Sequence, residues 1–345
     1  MLERTLHGVN LTGWLSLESW VTPELFAGTG SLGERGLMQT IGEELYRDLI
    51  LEHRQTFITR EDFKHIAHRG FNAVRIPVPW YVFGEYGPDP GPYVGCVGKL
   101  DDALAWGEQY DISVLLAMGV SPGANEEEGI LFGSGHNRRE EVLDVLAALA
   151  RRYADFKSLF GIEVAYEPVA QRRKGFMGIT EGVSLRVLRT YYRDAYEAVR
   201  AGGGERPCVV LPDAGVPNMW RSFMAGRRYR NVWLDCHLYH YTDQVDATGP
   251  AGAAALVARS RQTLAQAQKS GLPVMVGAWS AALPFADSLM TPEGRIALER
   301  VYCAEQIAAF EERPAWFFQT WKTSGHLSGW DSRIALSSFE RSMLG

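Results

Sequence analysis

Short apolar runs alternate along this chain with longer segments whose apolar residues recur every three or four positions. The runs at 7–13, 72–79, 113–119, 160–168, 208–213, 232–239, 273–280 and 316–322 are bounded by turn formers, and they read as strands. Between them, 43–54, 59–69, 100–110, 138–153, 184–201, 252–270 and 291–312 carry helical spacing, as in Val142, Leu143, Leu146, Leu149 and Ala150. A weaker helix is expected at 218–225. Thr59, with Asp62 three residues on, predicts a capped helix start, and Gly70 a left-handed stop.

Eight strands separated by helices, with no hairpin signature between them, predict a parallel sheet. Eight is also the number that closes into a barrel. The expected fold is therefore α/β, a (β/α)8 TIM barrel, in a single domain over residues 1–345. A doubly wound open sheet would normally carry a phosphate-binding glycine turn after its first strand. The stretch from Gly28 to Gly33 has such spacing but follows Pro23-Glu24-Leu25 rather than a strand, so it reads as a loop.

A barrel of this kind places its chemistry at the C-terminal tips of the strands. Those tips read Asn10, Thr12 and Trp14; Arg75 and Trp80; Met118; Tyr166 and Glu167; Asp213; His237 and Tyr239; Ala278 and Trp279; Gln319 and Trp321. Glu167 stands where Pro168 must end a strand. Aromatic faces beside hydrogen-bonding groups suit a sugar ring, so the expected partner is a glycoside, an oligosaccharide or a polyol-like small molecule. An acid among apolar walls is expected to have a raised pKa.

Charge and cysteine usage narrow the field. A net charge of −6 argues against nucleic acid or an anionic membrane as partner. No apolar run approaches the roughly 20 residues of a membrane span. With Met1-Leu2-Glu3-Arg4 leading into a strand by His7, a cytoplasmic location is expected. Cys96, Cys208, Cys236 and Cys303 lack metal-like spacing, and His237 and His240 alternate onto opposite strand faces. Neither a metal nor another cofactor is therefore expected.

The ordered series Gly8-Val9-Asn10-Leu11-Thr12-Gly13-Trp14 with Glu18 and Trp20, then Gly70 to Pro77 with Trp80, Gly161-Ile162-Glu163, Glu167-Pro168, His237 with Tyr239, and Val276-Gly277 with Trp279-Ser280 resembles the family 5 glycoside hydrolases. Within them the closest likeness is to the exo-β-1,3-glucanase branch. The resemblance implies retaining hydrolysis by two carboxylates about 5 Å apart. Carried over by motif, Glu167 falls on the acid/base position, and Arg75, His237 and Tyr239 on positions that orient carboxylate and sugar. Glu18 falls on a sugar-binding position and Trp279 on a platform beside the nucleophile.

The match breaks at the nucleophile, where the family's Glu is Ala278. Tyr166 replaces an expected Asn, Met118 an expected His and Gln319 an expected aromatic. A methyl group cannot attack an anomeric carbon, so standard double displacement is not expected. Three readings follow: a repurposed enzyme using Glu167 as general acid/base, a carbohydrate-binding pseudo-glycosidase, or a nucleophile knock-out of an exo-β-glucosidase. Asp213 reads as a cap or strand-end partner, Glu126-Glu127-Glu128 as a solvated loop, and Glu163 as a structural acid below the site.

Overall fold

A computed structural model describes residues 4–84, 93–119, 121, 138–171, 173–174, 178–179, 182–245, 247, 249–284 and 290–337. Eight parallel strands close on themselves: β1 (Leu6–Asn10), β2 (Ala73–Val78), β3 (Ser113–Met118), β4 (Leu159–Glu163), β5 (Cys208–Pro212), β6 (Val232–Leu238), β7 (Val274–Trp279) and β8 (Ala315–Phe318). Each pairs with its sequence neighbours, and β1 closes the ring against β8. The (β/α)8 barrel expected from the strand count is the fold.

Helices α1 (Glu34–Ile41) and α2 (Glu43–Thr56) precede α3 (Arg60–His68). Then follow α4 (Val97–Tyr110), α5 (Arg138–Arg152), α6 (Leu185–Gly203), α7 (Pro250–Ala267), α8 (Pro292–Phe310) and a short α9 (Ser332–Ala335). The capping box at Thr59 and Asp62 forms as expected, with the Thr59 N–H donating to Asp62 at 2.9 Å. Two assignments change. The weak helix at 218–225 is only a 3-10 turn over Pro217–Trp220, because Ser222 and Met224 adopt positive φ and break any helical run. The segment before α2 holds an additional helix, α1, separated from α2 by Gly42 at φ +85°.

Strand alternation sorts the residues into two shells. Leu6, Leu115, Phe160, Val210, Trp233, Met275 and Phe317 fill the floor of the barrel with apolar bulk. Outward-facing residues such as Val74, Leu116, Ile162 and Val276 pack under the helices. Above the floor the inward positions become polar: Asn10, Arg75, Glu163 and Asp235, all buried. With apolar side chains filling the lower layers and charges above them, the upper end of the barrel is the one prepared for chemistry among the described residues.

Candidate active site

The lower layer of the site is an ion-pair network. Arg75 forks onto Glu163 at 2.7 and 3.0 Å and donates its remaining nitrogen to Asn10 at 2.9 Å. Asn10 in turn donates to the Gly277 carbonyl at 3.0 Å, linking β1, β2, β4 and β7. Burial alone would weaken the Arg75 charge, but the Glu163 carboxylate raises its pKa further, so it stays a cation. Asp235 accepts the Gly277 N–H. Gly277 has to be glycine there, because a Cβ would lie 1.8 Å from the Asp235 carboxylate.

His237 connects this layer to the mouth. Its Nε2 lies 3.2 Å from Asp235 and its Nδ1 2.7 Å from Glu167. Burial would lower the imidazole pKa, yet carboxylates on both nitrogens raise it well above the ordinary value. The ring is an imidazolium donating at both ends. Glu167 answers to the same pairing. Burial would push its pKa up, but the His237 hydrogen bond and charge outweigh that and hold the carboxyl below its usual range. The raised pKa expected of an isolated acid is thus corrected, because Glu167 is not isolated. Tyr239 also donates to it, at 3.4 Å.

Glu167 lies beyond the end of β4, at φ +35°, a left-handed conformation rare for a residue with a side chain. The surroundings hold it there. Val164 donates to the Val210 carbonyl at 3.1 Å, and Tyr191 of α6 donates to the Val164 carbonyl at 2.6 Å. The tip is therefore clamped from the neighbouring strand and from the helix layer. Backbone strain retained at such a tip is characteristic of functional sites.

Next to this centre lies a cavity of about 300 Å³ whose lining includes Ser16, Glu18, Trp20, Pro77, Gly119 and Tyr166. Glu18 accepts from the Trp20 indole at 2.8 Å. An aromatic wall stands beside it: Trp330 lies 5.3 Å from Trp20, 5.7 Å from Tyr239 and 5.1 Å from Tyr241. Sequence reasoning missed Trp330 and Tyr241, which sit beyond the strand ends. A scan of loop aromatics following strand tips was the available signal.

Ala278 occupies a β-bulge. Val276 pairs with Trp316 and Trp279 with Phe318, so β7 has two residues, Gly277 and Ala278, opposite the single Phe317. The bulge turns Ala278 onto the inward face, where it pairs with His237. Its methyl is nevertheless only 1% exposed.

Of the residues expected in the site, Arg75, Glu167, His237 and Tyr239 are brought together, and Glu18 and Tyr166 line the adjoining cavity. Five expected site residues are instead engaged within the fold. Met118 pairs with Val78 on the outer face of β3, within the core beneath the helices. Trp279 is fully buried against Phe310, Trp316 and Phe318, so it cannot be a platform, since the bulge sends the neighbouring residue inward instead. Trp80 is packed edge-on to Tyr81 and Tyr93 with 3% exposure. Trp321 donates to Asp62 of α3 at 2.9 Å, on the helix side. Gln319 is buried and accepts from Thr12 at 3.0 Å.

Asp213 is the strand-end partner it was expected to be: it accepts the Gly215 N–H at 2.8 Å, and burial pushes its pKa up to about 6. The Glu126-Glu127-Glu128 run lies outside the described residues. One cluster escaped the sequence altogether. Ligand atoms of Glu163, Asp235 and His237 lie within 4.8 Å of one another, a spacing that could hold a metal ion. Each is already engaged, by Arg75, by the Gly277 N–H and by Glu167, so the cluster works here as an ion-pair network.

Comparison with known proteins identifies the family. The model of the cellulase family, glycosyl hydrolase family 5, matches residues 46–287. The "Probable glucan 1,3-beta-glucosidase A" of Emericella nidulans is 29% identical, covering 98% of this chain and 90% of its own length. The "Glucan 1,3-beta-glucosidase" of Schwanniomyces occidentalis is 27% identical, covering 94% of this chain and 84% of its own length. Among solved structures, a rutinosidase from Aspergillus niger superposes with a TM-score of 0.80 at 17% identity over 98% of both chains. An endoglucanase from Thermotoga maritima gives 0.59 at 15% identity, over 98% of this chain and 95% of its own. The matched family model spans most of the barrel that carries Arg75, Glu167 and His237, and the chain belongs to the glycosyl hydrolase family 5 cellulases.

Proposed function

We propose that this barrel is a diverged glycoside hydrolase that performs proton-transfer chemistry on a glycosylated or polyhydroxylated small molecule without a covalent glycosyl intermediate. Glu167 is the proton-transfer group and Ala278 stands at the nucleophile position. The observation that carries the reading is Ala278 itself. It shares the inward face with His237, yet offers a buried methyl.

A nucleophile simply truncated from a working glycosidase would leave a void open to substrate. Closure around Ala278 fits a mouth that has repacked, which favours divergence over a knock-out. The electrostatics give Glu167 a starting state. It rests as an anion beside an imidazolium, so it begins a reaction as a general base, accepting a proton from a hydroxyl, a carbon acid or a water molecule. Tyr239 and His237 both engage Oε1 and so fix the carboxylate in place, with Oε2 directed to the incoming proton. The cavity with Glu18 and Tyr166 and the wall of Trp20, Trp330 and Tyr241 offer the mixed polar and aromatic surface a sugar ring requires.

The test is Glu167→Gln, which keeps shape and removes basicity. Turnover of a substrate found by screening glycosides and polyols should fall by at least about 100-fold while binding stays within a few-fold. Unchanged turnover removes Glu167 as proton carrier.

A further inference from the structure

A second cavity, of about 590 Å³, lies on the opposite side of the loop that follows β1. Residues 16–20 of that loop line the sugar-sized cavity at the mouth, whereas Thr22, Glu24 and Leu25 line this one, facing α2. Nothing in the proposed reaction uses it. We propose that it binds an organic cation, a protonated amine carrying a small apolar body.

The walls supply both halves of such a ligand's recognition. Leu45 and Leu49 give an apolar side beside Phe57, on which His53 stacks, and Glu24, Asp48 and Glu52 three exposed carboxylates, of which Glu24 accepts from the Ser324 hydroxyl. Among the described residues the one cation in the lining, Lys322, is already bound to Asp62 at 2.7 Å. Two buried groups add hydrogen-bonding capacity that the fold leaves unused. Thr22 is 1% exposed and its hydroxyl has no hydrogen-bond partner among the described residues. His53 is 7% exposed, and its Nε2 lies 2.6 Å from the Gly13 carbonyl, an oxygen that can only accept. The proton therefore sits on Nε2 and leaves Nδ1 as a lone-pair acceptor. Burial lowers the His53 pKa to about 4, so the ring stays neutral near pH 7.

The buried Thr22 hydroxyl carries a desolvation cost that a ligand N–H offsets, while the three carboxylates are exposed. The excess of acceptors and negative charge selects a cation over a neutral polyol. A bare metal ion is disfavoured by placement: among the described residues, the three carboxylates do not converge into a coordinating group. The occupant would press against the loop that also carries Glu18 and Trp20, so its arrival should be felt at the mouth.

Titration of the full-length protein with benzylammonium, monitored by calorimetry and tryptophan fluorescence, tests the proposal, with benzyl alcohol and calcium chloride as controls. Saturable one-to-one binding of benzylammonium is expected, with neither control binding. The double substitution Asp48→Asn/Glu52→Gln, at two exposed positions that leave the fold undisturbed, should weaken it roughly five- to tenfold. Thr22→Val should weaken it further and independently. Equal binding of benzyl alcohol, unchanged affinity in the double variant, or absence of saturable binding overturns the assignment. None of these outcomes depends on Glu167, so the two proposals stand or fall separately.

Discussion

His237 and His240 stand three residues apart, and both ring nitrogens of each are engaged, yet the two do different work. His237 faces inward between Glu167 and Asp235. His240 faces the helix layer, with Nδ1 2.8 Å from Asp243 and Nε2 2.8 Å from the Ser260 hydroxyl of α7. The second arrangement has the connectivity of a serine hydrolase triad. Ser260 is fully buried, however, so no substrate reaches it. It is a clamp that ties the loop carrying Tyr241 to α7. Access and electrostatics, not the residue set, separate the histidine of the candidate site from the one in the helix layer.

The comparison can be broken most forcefully from below. Arg75→Met leaves Glu163 buried without its partner and should cost about 3–5 kcal/mol in chemical denaturation, with turnover lost as well. His237→Asn should cost less stability than Arg75→Met, because Asp235 keeps the Gly277 N–H, and reduce turnover by about 100-fold or more, read in steady-state kinetics. Ser260→Ala should do the reverse. It leaves the His240 nitrogen unpaired and costs about 1–3 kcal/mol, with the pH profile of turnover unmoved.

The pH dependence sharpens the contrast. The depressed Glu167 pKa means that the anion persists as pH falls through the usual carboxylate range. The acid limb of the rate profile should therefore lie below that range, and His237→Asn should move it up. Asp213 gives the smallest effect. Its folded pKa of about 6 exceeds that of an exposed carboxyl, so ionising it costs stability as pH rises from the exposed value through 6. Asp213→Asn keeps the acceptor for Gly215 and should stabilise by on the order of 1–2 kcal/mol at pH 7 but not at pH 4.

The barrel was legible because its signals are local: short buried runs, helical spacing, and a Thr59–Asp62 cap that forms as written. Facing was harder to read. Met118 and Trp321 were expected at the mouth from their nearness to strand ends, but period-two alternation sends Met118 outward, and Trp321 lies three residues past the end of β8, where its indole turns to Asp62 of α3. Trp279 failed for a subtler reason. One extra residue in a bulge exchanges inward and outward positions, and no local composition marks it. Ionisation states were illegible too, since Glu167 owes its low pKa to a histidine seventy positions away. The aromatic wall depends on Trp330, whose place is set by tertiary packing alone.

The claim that matters most is that a proton-transfer centre survives here without a covalent partner, in a mouth repacked around Ala278. Hydrolysis of an aryl β-glucoside by the Ala278→Glu variant, its fold checked by circular dichroism, tests that directly. The account predicts no release of the phenol above that of the unaltered protein. Restored hydrolysis with retention at the anomeric carbon contradicts it, because the mouth would then still be that of an ordinary retaining glucosidase.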